Sequence, residues 1–133
     1  MRNLIETVTV DGVGYNVAQA PAVKQKSLMS LIGTRIAVNA TTAGVTDIDV
    51  DVVKGILIST PESDLDKIAA IVLEKCFISG TDSRVTVDNF QGGMNAYYTL
   101  LAEAVRVNLA DFFIWLSEKI RESAEARKAA QAK

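Results

Sequence analysis

The residues able to do chemistry are few. "DIDVD" sets carboxylates at Asp47, Asp49 and Asp51, the spacing of the first ligands of a calcium loop. The sixth position of such a loop is a glycine and the twelfth a glutamate, because a sharp turn and a bidentate ligand are needed there. Here those positions hold Val52 and Ile58, so the run reads as a solvated helix start matched to the helix dipole. Cys76 is the only cysteine, and the chain has no histidine. That leaves the thiol without the usual base and removes the commonest zinc ligand and pH switch. Cys76 lies on an apolar helical stripe and reads as a small buried hydrophobe. "FQGGMN", residues 90–95, offers backbone amides to an anion but lacks the P-loop lysine and the dinucleotide spacing. Close packing or a loose first helical turn accounts for its glycines. No serine sits in a nucleophile elbow and no carboxylate pair is set for acid–base work. The expectation is a protein that is not an enzyme, with no cofactor and no metal.

The composition agrees. The 133 residues suit one domain with a real core. A net charge of −2, without a basic stripe, argues against nucleic acid as partner. No apolar run approaches the ~18 residues of a membrane span, and Glu6 and Asp11 fall where a signal peptide needs apolar residues. A cytoplasmic protein is expected, so the "NAT" acceptor pattern at 39–41 is discounted.

The elements that must position any site follow from periodicity. "ETVTVDGVGYNV" alternates around Asp11-Gly12, the signature of a type I′ hairpin turn. The register pairs Val10 with Val13, Val8 with Tyr15 and Glu6 with Val17. Val8, Val10, Val13, Tyr15 and Val17 then share one face. Residues 21–38 read as a helix, with Pro21 at its first position and "NATTAG", 39–44, as a loop. Residues 46–58 read as helix in preference to a short strand, with Thr46 and Asp49 at capping-box spacing. Thr60 as N-cap and Pro61 as first residue open a helix that Gly80 ends. "SRVTV", 83–87, reads as a short third strand. Asp88, with Gln91 three residues on, caps a last helical region reaching about residue 126. That region either continues through Asn108 or breaks there, Asn108 capping a second segment with Asp111 in its first turn. The polar tail, 122–133, reads as a solvated helix end or a frayed terminus. The fold class is α+β and mainly α-helical: an N-terminal β-hairpin, with or without the short third strand, packed on four to five helices.

"NLADFFIWLSEKI", residues 108–120, places five apolar residues, Phe112 to Leu116, in a row. Five in a row point all the way round a helix. Treated as one helix, residues 94–120 carry a core stripe of Met94, Tyr98, Leu101, Val105, Leu109, Phe112 and Leu116. Leu100, Val107 and Ile114 recur on a separate side, with Phe113 at the other border. That second apolar surface is either covered by the other helices or is a contact for a subunit or partner.

The short β start, the helices through the middle and "NAYYTLLAEAVRVNLADFF" near the end resemble the tail assembly chaperones of long-tailed bacteriophages. The closest part is residues 88–116. The resemblance implies a non-enzymatic role: coating the long helical tape measure protein before tail tube subunits polymerise around it, in the host cytoplasm and without entering the mature virion. It implies self-association, and for many members a longer form made by a ribosomal frameshift, to which the tail at 122–133 is suited. A protein that masks a helix needs an apolar groove with aromatic anchors. Tyr97, Leu100, Val107, Phe113, Ile114 and Trp115 are the candidate partner-binding or oligomer-interface residues. A self-assembling structural subunit of a tail or related particle, and a monomeric bacterial adaptor domain, are the alternatives.

Overall fold

A computed structural model describes residues 5–43 and 48–131. Strands β1 (Ile5–Val10) and β2 (Val13–Ala18) form the expected hairpin. Val10 faces Val13, Val8 faces Tyr15 and Glu6 faces Val17. Asp11 and Gly12 both take positive φ, 49° and 79°, as a type I′ turn demands. Val8, Val10, Tyr15 and Val17 are buried, while Val13, next to the turn, is exposed.

The third strand is not where the sequence placed it. Helix α4 (Glu62–Val72) ends about two turns early, and Cys76–Ile78 forms β3, antiparallel to β2. Cys76 fits the helical stripe and an extended run equally well by pattern. Pairing decides: β2 has a free edge that only an extended chain can satisfy, and Cys76 stands opposite Val17, both fully buried. The stretch 83–87 touches the far edge of β3 through one bridge, Phe77 to Arg84.

The first helical rod is longer than expected. Helix α1 (Ala22–Leu28), a π-helical turn (Met29–Gly33) and α2 (Thr34–Ala43) run on without a gap. Residues 39–43 are therefore helix and not loop. Ala40 is fully buried and the Asn39 amide donates to the Arg35 carbonyl at 2.7 Å, so packing overrides the loop composition. Pro21 is the N-cap residue and Ala22 the first helical one.

Helix α3 (Val50–Ile58) starts at Asp49, whose carboxylate accepts from the Val52 N–H at 3.0 Å. Asp49 is thus the N-cap and not the third residue of a helix capped by Thr46, as its spacing suggested; Thr46 and Asp47 lie outside the described residues. Thr60 does not cap α4. It is buried, and its hydroxyl donates to the Ile56 carbonyl at 2.8 Å, closing the end of α3; Pro61 is the N-cap.

A 3-10 turn (Val87–Phe90) precedes the last helices. Its start is fixed by Thr86 and Asn89, not by Asp88 and Gln91: the Thr86 N–H donates to Asn89 Oδ1 at 2.8 Å. Gly92 then takes φ 79° and Gly93 caps α5 (Met94–Asn108), which settles the glycine pair as a chain reversal. Helix α6 (Ala110–Gln131) follows a break at Leu109, where φ is −121° and ψ 28°.

Helix α5 is the centre of the molecule. It touches α3, α4, α6, the 3-10 turn and the inner face of the hairpin. Arg106 ties it to β1 through an ion pair with Glu6 and holds Glu103 at 3.4 Å. Among the described residues no helix is long and apolar enough to cross a membrane.

Candidate functional site

The six residues singled out by the sequence divide sharply. Tyr97, Leu100, Val107 and Phe113 lie inside the chain's own core, between 0 and 7% exposed. Tyr97 belongs to an aromatic row, its ring 5.5 Å from Phe90, which in turn is 6.0 Å from Tyr15. Burial pushes its phenol pKa up, with Asp66 adding to the shift. Leu100 and Val107 belong to the same buried core cluster. Ile114 and Trp115, by contrast, are 62% and 52% exposed.

The break at Leu109 explains the division. A single helix from 94 to 120 would keep Val107 and Ile114 on one side. The break re-aims α6, so Val107 turns into the core and Ile114 out of it. Asn108 holds the joint without capping α6. Its amide donates to the Ala104 carbonyl at 2.9 Å, and its oxygen accepts from the Ala20 N–H at 2.8 Å. Gln19 adds a bond to the Val107 carbonyl at 2.9 Å. The connection between β2 and α1 is thereby fastened to the α5–α6 corner.

That corner makes a groove. Helix α1 and the π turn form one wall through Ala22, Gln25, Lys26 and Met29; Leu109, Asp111, Phe112 and Trp115 form the other, with Asn108 at its inner end. The space is about 590 Å³. Trp115 stacks on Phe112 one turn back, centroids 6.2 Å apart and planes at 24°, the i, i+3 relation that makes helix neighbours. Met29 lies over Gly33: a Cβ there would stand 2.9 Å from Met29 Cε. The groove wall thus ends in a long, unbranched thioether side chain, well suited to adapting to an apolar guest. Lys26 and Asp111, both exposed, stand on opposite walls.

Ile114 lies on a different flank of α6. With Phe113 and Ile48 it borders a smaller hollow of about 330 Å³. The structure therefore does not join Ile114 and Trp115 into one surface. Leu109 is core, as its stripe position implied; Phe112, partly buried against that core, and Met29 are the groove residues that sequence reasoning did not single out. The Phe112–Trp115 spacing carried the signal for the first of them. Nothing in the sequence tied Met29 to the far end of the chain.

The remaining reactive group is inert. Cys76 is fully buried, and burial pushes its thiol up to about 11. Among the described residues no three or more His, Cys, Asp or Glu side chains converge as a metal site.

A helical scaffold that opens an aromatic-lined groove is an architecture for holding another protein segment. Residues 11–122 match the family model described as phage tail assembly chaperone protein, TAC, and the chain belongs to that family. It is a chaperone of phage tail assembly, and the matched region contains both walls of the groove. Searches of curated proteins and of solved structures return no match.

Proposed function

We propose that the protein binds the helical tape measure protein through the groove between α1 and α6, keeping an apolar helix soluble until the tail tube closes around it. The observation that carries this reading is the half-exposed Trp115, stacked on the partly buried Phe112 and facing Met29 across the groove. A half-exposed tryptophan over a concave apolar surface contributes little to the free protein. It is the residue type that dominates binding energy when a partner covers it. The wall formed by α1 is about two helical turns long. A guest helix then presents apolar side chains at i, i+3 or i+4, and i+7 to Trp115, Phe112 and Met29. The role is non-enzymatic and cytoplasmic, and ends before the virion is complete. Self-association belongs to the same reading.

The test is co-expression with the tape measure protein of the same phage. Wild-type chain should hold it in the soluble fraction and co-purify with it. Trp115→Ala and Phe112→Ala should weaken that capture by about tenfold or more while the circular-dichroism spectrum stays that of the folded chain. Capture unchanged by both substitutions would rule the groove out. A wild type that never captures the tape measure protein would rule out the partner.

A further inference from the structure

The groove between α1 and α6 differs from end to end and from wall to wall. At one end its walls are tied together. Asn108 Oδ1 accepts from the Ala20 N–H at 2.8 Å and from Gln25 Nε2 at 3.5 Å, which draws the start of α1 to the α5–α6 corner. From that joint one wall runs out to Met29 and the other to Trp115, each about 10 Å of helix. Across the groove, Lys26 stands on the α1 wall and Asp111 on the α6 wall, and these are the charged side chains among its lining residues. Both are exposed, and no salt bridge joins them. Asp111 accepts from the Phe112 N–H through Oδ1 at 2.8 Å, so Oδ2 is left to meet a guest. Lys119, one turn beyond Trp115, lies 3.5 Å from Glu122, and that pair adds no net charge to the α6 wall.

A helix lying in such a groove with its apolar stripe inward has one border against each wall. Turning it end for end exchanges the borders. Consider a guest whose stripe is bordered by acidic residues on one side and basic residues on the other. In one direction its carboxylates meet Lys26 and its cationic groups meet Asp111. In the other direction both contacts are repulsive. Charges at the rim of a contact sort partners and fix register more than they add affinity, and the penalty on the wrong arrangement counts as much as the gain on the right one.

We propose that Lys26 and Asp111 set the direction in which a guest helix lies in the groove. They select a helix with acidic residues along the border facing α1 and basic residues along the border facing α6. This rests on the groove reading above and adds to it the polarity and the charge pattern of the guest.

The test uses the full chain and a tryptophan-free helical peptide with a leucine stripe, glutamates along one border and lysines along the other. The peptide carries a nitroxide at its N-terminus or at its C-terminus. Trp115, the sole tryptophan, lies towards one end of the groove, so a short-range quencher reports which end of the peptide is beside it. The preference for one direction should be about tenfold or more, so one label quenches Trp115 and the other leaves it nearly unchanged. Lys26→Glu with Asp111→Lys should exchange the two labels. Lys26→Gln with Asp111→Asn should let both quench. Thermal melts verify that the variants fold, and the neutral pair decides the matter if the reversed pair does not. Equal quenching from both ends in wild type, or a preference that survives the charge changes, would overturn the proposal and leave the groove as the binding site. A wild type whose Trp115 responds to neither labelled nor unlabelled peptide would overturn the groove reading, and this inference with it.

Discussion

Helices α5 and α6 meet at one corner, and both are rich in apolar residues, yet they do opposite work. Nine of the 15 residues of α5 are buried, including Asn108; of the 22 in α6 only Phe113, Leu116 and Ile120 are. Helix α5 is wrapped by sheet and helices and spends its apolar side chains on the fold. Helix α6 packs one stripe against α2 and α5 and leaves Ile114 and Trp115 to solvent. Beyond Ile120 no described side chain of α6 is buried, so that end stands off the core. Apolar content alone therefore says little about where a surface is. What decides is whether a second element lies within reach.

The comparison can be broken by substitution. Leu100, fully buried at the centre of α5, should cost about 2–5 kcal/mol when cut to Ala, read by denaturant unfolding. An equal effect from Trp115→Ala would mean that α6 is core as well. At the corner between them, Asn108→Ala removes the acceptor of the Ala20 N–H and strands a part-buried donor. That should cost about 1–3 kcal/mol, with amide exchange rising at residues 19–22. Trp115→Ala should change stability by no more than about 1 kcal/mol while weakening tape measure capture by about tenfold or more, a separation of fold from function that no α5 substitution should show. Ile114→Ser, smallest of the set, should fall within about 0.5 kcal/mol of wild type and leave the groove on the opposite flank intact. A loss of capture from Ile114→Ser equal to that from Trp115→Ala would place the contact on both flanks of α6.

The parts of this fold legible in the sequence are those set by local pattern. The hairpin register follows from strict alternation about Asp11-Gly12, where a one-residue slip would expose Val8 and Val17. The fold class is legible for the same reason, whereas α3 is capped by Asp49 itself, the residue the sequence placed three positions inside a cap at Thr46. Long-range pairing was not. Cys76–Ile78 satisfies a helical stripe by spacing and becomes a strand only because the edge of β2 is there to pair with. Residues 39–43 carry loop-like Asn and Thr, yet the buried Ala40 holds them helical. The site was legible in half. Five consecutive apolar residues announced that α6 exposes some of them. Which ones depended on the backbone angle at Leu109, and the facing wall depended on Met29, remote in sequence and set in a π turn.

Trp115 is the chain's sole tryptophan, so its emission reports on the groove alone. The most direct test is to titrate the chain with a tryptophan-free helical segment of the tape measure protein and follow that emission. Burial of Trp115 between Phe112 and the guest helix should shift the maximum to shorter wavelength, saturably, and the shift should track co-elution on a sizing column. A segment that co-elutes with the chain while Trp115 emission stays unchanged would contradict the assignment of this groove as the binding site.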